Sequence, residues 1–199
     1  MTIRKSLTVQ KQKRLIKTTV VVLGDGETEE SYLNRVNELN AFPSLNLKFV
    51  KGNENNYKTK QKEHAENPHV LLIIDVDNTQ SGSTKYGLIQ SATTSKSTSK
   101  NVFFNNYSFE LWLLNHKIYF SKPITDKTQY DPQMKLTFLV DSWSNNKDQA
   151  NRLKIMSSIE VTDIFTAQGN VTRLGSKQFN MNPSSNLDDF IKYLLNIKA

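Results

Sequence analysis

Between Thr18 and Phe104, short apolar runs alternate with segments whose apolar positions recur at helical spacing, the grammar of a βαβ chain. Thr19-Val20-Val21-Val22-Leu23 is β-branched or apolar throughout, as in a strand covered on both faces. Tyr32, Leu33, Val36 and Leu39 then share a helix face, with Thr28 as a candidate cap and Ala41-Phe42-Pro43 as the stop. Leu45–Val50 is a second strand, Glu54–Glu66 a charged surface helix ending near Asn67-Pro68, and Val70–Ile74 a third strand. Asn78–Lys100 is rich in Ser, Thr and Lys and predicts a loop leading into a weak helix through Tyr86, Leu88, Ile89 and Ala92. Asn101–Phe104 returns to the sheet.

Beyond residue 105 the period changes. Phe109, Trp112, Leu113 and His116 fall on one helix face, and helices are expected from there to the C-terminus, including Lys147–Met156 and Leu187–Ile197. Asn182-Pro183-Ser184-Ser185 offers cap chemistry for the last of them. The expectation is an α/β fold, a mostly parallel sheet flanked by helices. A basic arm would occupy residues 1–18 and one domain residues 19–199, divided into a 19–105 core and a helical 106–199 extension.

At 199 residues the chain fits the usual size of roughly 100–200 residues per domain. Its apolar runs fall short of the roughly 18 residues that mark a membrane span, and no secretion signal follows Arg4 and Lys5, so a cytoplasmic protein is expected. Absence of cysteine removes disulfides and thiolate metal sites and speaks against zinc. The net charge of +7 suits a polyanionic partner. Arg4, Lys5, Lys11, Lys13, Arg14 and Lys17 all precede the first acid, an arm able to follow a phosphate backbone or simply a solvated terminus.

Both early strands run into carboxylates. The first leads into Gly24-Asp25-Gly26-Glu27-Thr28-Glu29 and the third into Asp75-Val76-Asp77. In an open parallel sheet ligands gather at the carboxyl ends of strands, so these acids can converge although far apart in sequence. Strand alternation places Asp75 and Asp77 on one face and Val76 on the other. Such oxygen ligands suit Mg²⁺ or Mn²⁺, and a cation held there serves phosphodiester cleavage. Gly24 and Gly26 permit a sharp turn with positive φ that can receive phosphate, although neither a P-loop nor G-x-G-x-x-G is completed. Glu110 is a further candidate ligand or orienting group. His116 is a candidate proton shuttle, or else a hydrogen-bonded core residue among Phe109, Trp112 and Leu113. His64 and His69 have no partner motif.

These residues carry a resemblance. Leu23-Gly24-Asp25-Gly26-Glu27-Thr28-Glu29-Glu30-Ser31-Tyr32 resembles the EG-x-TE-xx-Y opening of the RloB-like family, and Asp75-Val76-Asp77 matches its acidic pair. The segment from Asn106 to His116 is similar to its NPxFExWLLxH block, and Asn182-Pro183-Ser184 to its late Asn-Pro-Ser. The resemblance implies a Toprim-like fold binding Mg²⁺ through an acid after the first strand and an Asp-x-Asp after the third. It implies a nuclease of DNA or RNA in bacterial phage defence or abortive infection, working with an AAA-type ATPase; a homo-oligomer is compatible with it. Asp25 stands where the family has Glu, and Tyr107 replaces its proline. The shorter Asp25 opens the alternative of a catalytically degenerate assembly or sensor subunit, with Glu27 as a substitute acid if the site is active. Asp75-Val76-Asp77-Asn78-Thr79 also looks like the signature of haloacid-dehalogenase-type phosphatases with Asp75 as nucleophile, which need a later strand ending in paired acids; Asp188-Asp189 falls in a helix instead.

Overall fold

The computed structural model describes residues 16–77, 79–93, 101–143, 149–175, 177–178 and 180–197. Arg4, Lys5, Lys11, Lys13 and Arg14 of the basic arm therefore lie outside the described residues. Lys17 is exposed, and its Nζ donates to Asn40 Oδ1 at 2.9 Å.

The first half follows the sequence pattern closely: β1 (Thr18–Gly24), α1 (Glu27–Glu38), β2 (Leu45–Lys51), α2 (Tyr57–Glu63), β3 (Val70–Asp75), α3 (Thr84–Thr93) and β4 (Val102–Asn106). The charged surface helix is shorter than expected, for only Tyr57 anchors it in the core. β4 in turn runs on past Phe104 through two asparagines, because both side chains find partners where they are buried. Asn105 Oδ1 accepts from Ser185 Oγ (2.9 Å), and Asn106 Nδ2 donates to the Met181 carbonyl (2.9 Å).

After β4 come α4 (Glu110–Asn115), a 3₁₀ turn at Lys127–Tyr130, α5 (Asp131–Phe138), α6 (Gln149–Ser157), α7 (Val161–Leu174), β5 (Ser184–Ser185) and α8 (Leu187–Asn196). The second half is thus not wholly helical. Ser184 and Ser185 pair antiparallel with Asn106 and Asn105. Asn186 continues that pairing with its side chain, its Oδ1 accepting from the Phe104 amide (2.6 Å) and its Nδ2 donating to the Val102 carbonyl (3.3 Å). A polar stretch with no β-branched residue carries no strand signature, which is why the pattern concealed it.

The sheet order is β2-β1-β3-β4-β5, with β1 to β4 parallel. Alternate strand residues enter two cores. Val20, Val22, Leu71, Ile73 and Phe103 pack with α1 and the helices of the second half, whereas Val21, Leu23, Leu72, Ile74 and Phe104 pack with Tyr57 and Ile89. Together with α1, the described helices of the second half therefore cover one face of the sheet. Helix α8 shows how they are fastened: Leu187, Phe190, Ile191 and Leu194 recur at helical spacing and are buried, with the Phe190 ring centroid 5.3 Å from that of Phe103. Each such side chain contributes about 1.5–3 kcal/mol when fully buried. Order reverses between β1 and β3, since β2 lies outside one and β4 outside the other. The crevice at their carboxyl ends is where an open α/β sheet receives ligands.

Candidate functional site

Two residues separate β1 from α1. Gly26 caps the helix in extended conformation (φ −110°, ψ 148°) with no side-chain cap, so Thr28 is not the cap but a buried residue of the first turn. Neither Gly24 nor Gly26 has positive φ. A Cβ at Gly26 would fall upon Oε2 of Glu29, so this glycine leaves room for the Glu29 carboxylate where it lies. Glu29 is buried at the start of α1. Asp25 is exposed, in a shallow depression with Glu27, Glu30, Phe49 and Lys51. Glu27 is exposed as well and pairs with Arg152 of α6 at 2.6 Å. Besides burial, the charge of Glu29 raises the Asp75 carboxyl pKa.

Asp75 ends β3, and the parallel ladder runs on beyond it. The Val76 amide donates to the Asn105 carbonyl (2.9 Å) and the Asp77 amide to the Tyr107 carbonyl (3.1 Å). Val76 packs into the core on the α2 and α3 side, while Asp75 and Asp77 both meet Lys127, the division that strand alternation predicts. Lys127 Nζ lies 2.7 Å from Asp77 Oδ2 and 3.4 Å from Asp75 Oδ2. Lys85 of α3 reaches Asp77 Oδ1 at 3.3 Å.

The turn carrying Lys127 is built for its place. Asp126 accepts from the Thr128 amide (2.7 Å) and hydroxyl (2.6 Å), which hold its carboxyl below the usual aspartate range. Tyr130 closes the turn, and its hydroxyl accepts from the Tyr107 amide at 3.3 Å. Upstream, the Asn182 side chain brackets the backbone of Ile124, accepting from its amide at 3.2 Å and donating to its carbonyl. Tyr107 thus holds Asp77 with its carbonyl and the lysine turn with its amide. Two peptide bonds in this region are cis, Asn106–Tyr107 and Asn182–Pro183.

Glu110 opens α4 and is buried. Its Oε2 accepts from Ser108 Oγ (2.5 Å) and its Oε1 from the Trp143 indole (3.0 Å). Burial pushes the Asp75 carboxyl well above the ordinary aspartate value, with Glu29, Glu110 and Asp77 acting in the same direction and Lys127 against them. For Lys127, burial works against the ammonium but Asp75 and Asp77 outweigh it, holding its pKa above the ordinary lysine value.

His116 does not join this cluster. It is buried between Tyr32 and Trp112; Nδ1 donates to the Trp112 carbonyl (2.9 Å), which leaves Nε2 to accept from the Tyr32 hydroxyl (3.2 Å). Burial pushes its pKa down to about 4. Both ring nitrogens are thus engaged in the core, the arrangement of a hydrogen-bonded core residue, and the structure does not bring His116 to the acidic cluster. Asp188 and Asp189 are also placed elsewhere. The chain from Ser184 to Asn186 runs back along β4 away from its carboxyl end, and both acids pair with Lys177 and Lys192. No second acidic strand end of phosphatase type is formed by them.

Sequence reasoning missed Lys127, Lys85, Ser108, Tyr130 and Trp143. The Asp-x-Thr turn around Lys127 was readable locally, yet nothing in the sequence ties Lys127 to Asp75, which lies 52 positions earlier.

Comparison with known protein families matches residues 20–194 to the one described as RloB-like protein. The chain belongs to the RloB-like family. No curated protein and no solved structure matches it. The RloB-like match takes in Glu29, Asp75, Asp77, Glu110 and Lys127 and begins beyond the basic arm. Among the described residues of this RloB-like chain, no group of three or more His, Cys, Asp or Glu is arranged to hold a metal ion, and no helix is long and apolar enough to cross a membrane. The donor chemistry nonetheless fits a hard cation. Asp75 Oδ1 is buried and, among the described residues, accepts no hydrogen bond, which leaves a carboxylate oxygen available beside the Asp77 carboxylate.

Proposed function

We propose that this protein is a metal-dependent nuclease of Toprim type, cleaving phosphodiesters of DNA or RNA in bacterial phage defence. The observation that carries this reading is the cluster of Asp75, Asp77, Glu29 and Glu110 at the switch point of the sheet, with one Asp75 oxygen buried and unbonded. Asp75 and Asp77 would hold Mg²⁺ or Mn²⁺, and the charge of Glu29, which acts on Asp75, would favour the cation there. The cation would polarise a phosphoryl oxygen and offset charge on the phosphodiester. Glu110, fixed by Ser108 and Trp143, adds negative charge that acts on Asp75, and Lys85, paired with Asp77, would offer a positive charge to a substrate phosphate. The basic arm supplies sequence-independent attraction for nucleic acid. An AAA-type ATPase as partner and a place in abortive infection rest on the family resemblance, and co-purification with a neighbouring ATPase tests the pairing.

The test is cleavage of DNA, RNA and tRNA by purified protein with Mg²⁺ or Mn²⁺. Asp75→Ala and Asp77→Ala should each abolish it, a larger loss than the roughly 10–100-fold typical for removing an outer partner of a metal site. Cleavage that survives both substitutions would sink the metal-site reading.

A second reading is a degenerate assembly or sensor subunit. The ammonium of Lys127 on the acid pair and the exposure of Asp25 favour it. It predicts no Mn²⁺ binding in calorimetry and no cleavage of any substrate.

A further inference from the structure

The contact between Lys127 and the acid pair bears on how a cation would enter. Its Nζ bridges Oδ2 of Asp77 and Oδ2 of Asp75, so a positive charge already sits between the two carboxylates best placed to bind metal. An ammonium and a divalent cation cannot both occupy that position, because like charges repel strongly at such distances. The members of the cluster also differ in their freedom to move. The Asp75 side chain is 13% exposed and fixed at a strand end, whereas the Lys127 side chain is 42% exposed. Lysine can return its ammonium to water by rotating about its own stem, while the turn beneath it stays anchored by Asp126, Tyr130 and Asn182.

We propose that Lys127 is a resident counter-ion which a divalent cation must displace, so that metal entry and release of the lysine to solvent are a single event. This rests on the metal-dependent reading above and adds regulation to it. Without metal, the lysine neutralises acids that would otherwise repel one another, and the cleft stays closed to adventitious cations. Apparent metal affinity is then reduced by the fraction of molecules in which Lys127 occupies the pair. Substrate phosphate supplies an alternative partner for the displaced ammonium, so nucleic acid and cation should favour each other's binding.

Two measurements on the full chain test this. Calorimetry with Mn²⁺ should give at least about tenfold tighter binding for Lys127→Met than for wild type, with Lys127→Arg near wild type because it keeps the charge. In wild-type protein, acylation of Lys127 by an amine-reactive reagent, read by mass spectrometry, should rise on saturation with Mn²⁺. Lys60, paired with Glu63 on α2, should be labelled equally in both conditions. The labelling result decides alone if Lys127→Met does not fold. Equal Mn²⁺ affinity in wild type and Lys127→Met, or unchanged labelling of Lys127 with Mn²⁺ bound, overturns the counter-ion role and leaves the metal site standing. Mn²⁺ binding to none of the folded variants overturns the metal-dependent reading itself.

Discussion

His116 and Asp75 tie stability to pH in opposite directions. An unfolded histidine titrates near 6.5, and burial brings His116 down to about 4. Between those values the unfolded chain takes up a proton that the folded chain refuses, so His116 costs stability as pH falls from about 6.5 towards 4. Asp75 has its folded pKa raised, so the folded chain keeps a proton that the unfolded chain has already lost. Its contribution therefore declines as pH rises from the ordinary aspartate value, about 3.9. Asp75→Asn should raise the melting temperature of metal-free protein at pH 7–8, where about 1 kcal/mol corresponds to roughly 2–4 °C, and should abolish any further rise with Mn²⁺. His116→Phe should destabilise at neutral pH by leaving the Tyr32 hydroxyl and Trp112 carbonyl without that partner, about 1–3 kcal/mol for each buried group, and should flatten the acid-side slope. Thermal melts across pH check both. The residue types of the cluster were legible because acids directly after apolar runs stand out. The choice of Glu29 over Asp25 was not, since it depends on how one helical turn buries its second acid against Gly26.

At the level of elements, β1 and β3 were readable because burial on both faces makes each a nearly continuous apolar run, and β2, at the sheet edge, by the alternation of buried Leu45 and Leu47 with exposed Asn46 and Lys48. β5 was not, since its two serines, and the Asn186 side chain that extends their pairing, read as loop. Those side chains replace part of a strand: Asn186→Ala would orphan the Phe104 amide and Val102 carbonyl in a buried place, costing about 1–3 kcal/mol for each group. Urea titration should show a lower midpoint with the same slope. The β1–α1 junction offers a sharper probe. Gly26→Ala fits the extended backbone but places its Cβ on the Glu29 carboxylate, so Glu29 must move. The expected outcome is a folded protein with weakened Mn²⁺ binding, measured by circular dichroism and calorimetry on the same sample.

For the molecule as a whole, the net charge of +7 concerns association rather than fold. Deleting residues 1–15 should weaken nucleic-acid binding and reduce its dependence on salt, seen in fluorescence anisotropy at two or more salt concentrations. The order in which the site's parts are made carries a further meaning. Its acids lie on early segments, but Asn182, which steadies the strand of chain leading to Lys127, follows Ile124 by 58 positions. β4 likewise waits for Ser184, Ser185 and Asn186 to cover its outer edge. A growing polypeptide therefore carries the whole acidic cluster before it has the parts that steady and enclose it, and the cleft cannot be completed until Asn182 to Asn186 have been made.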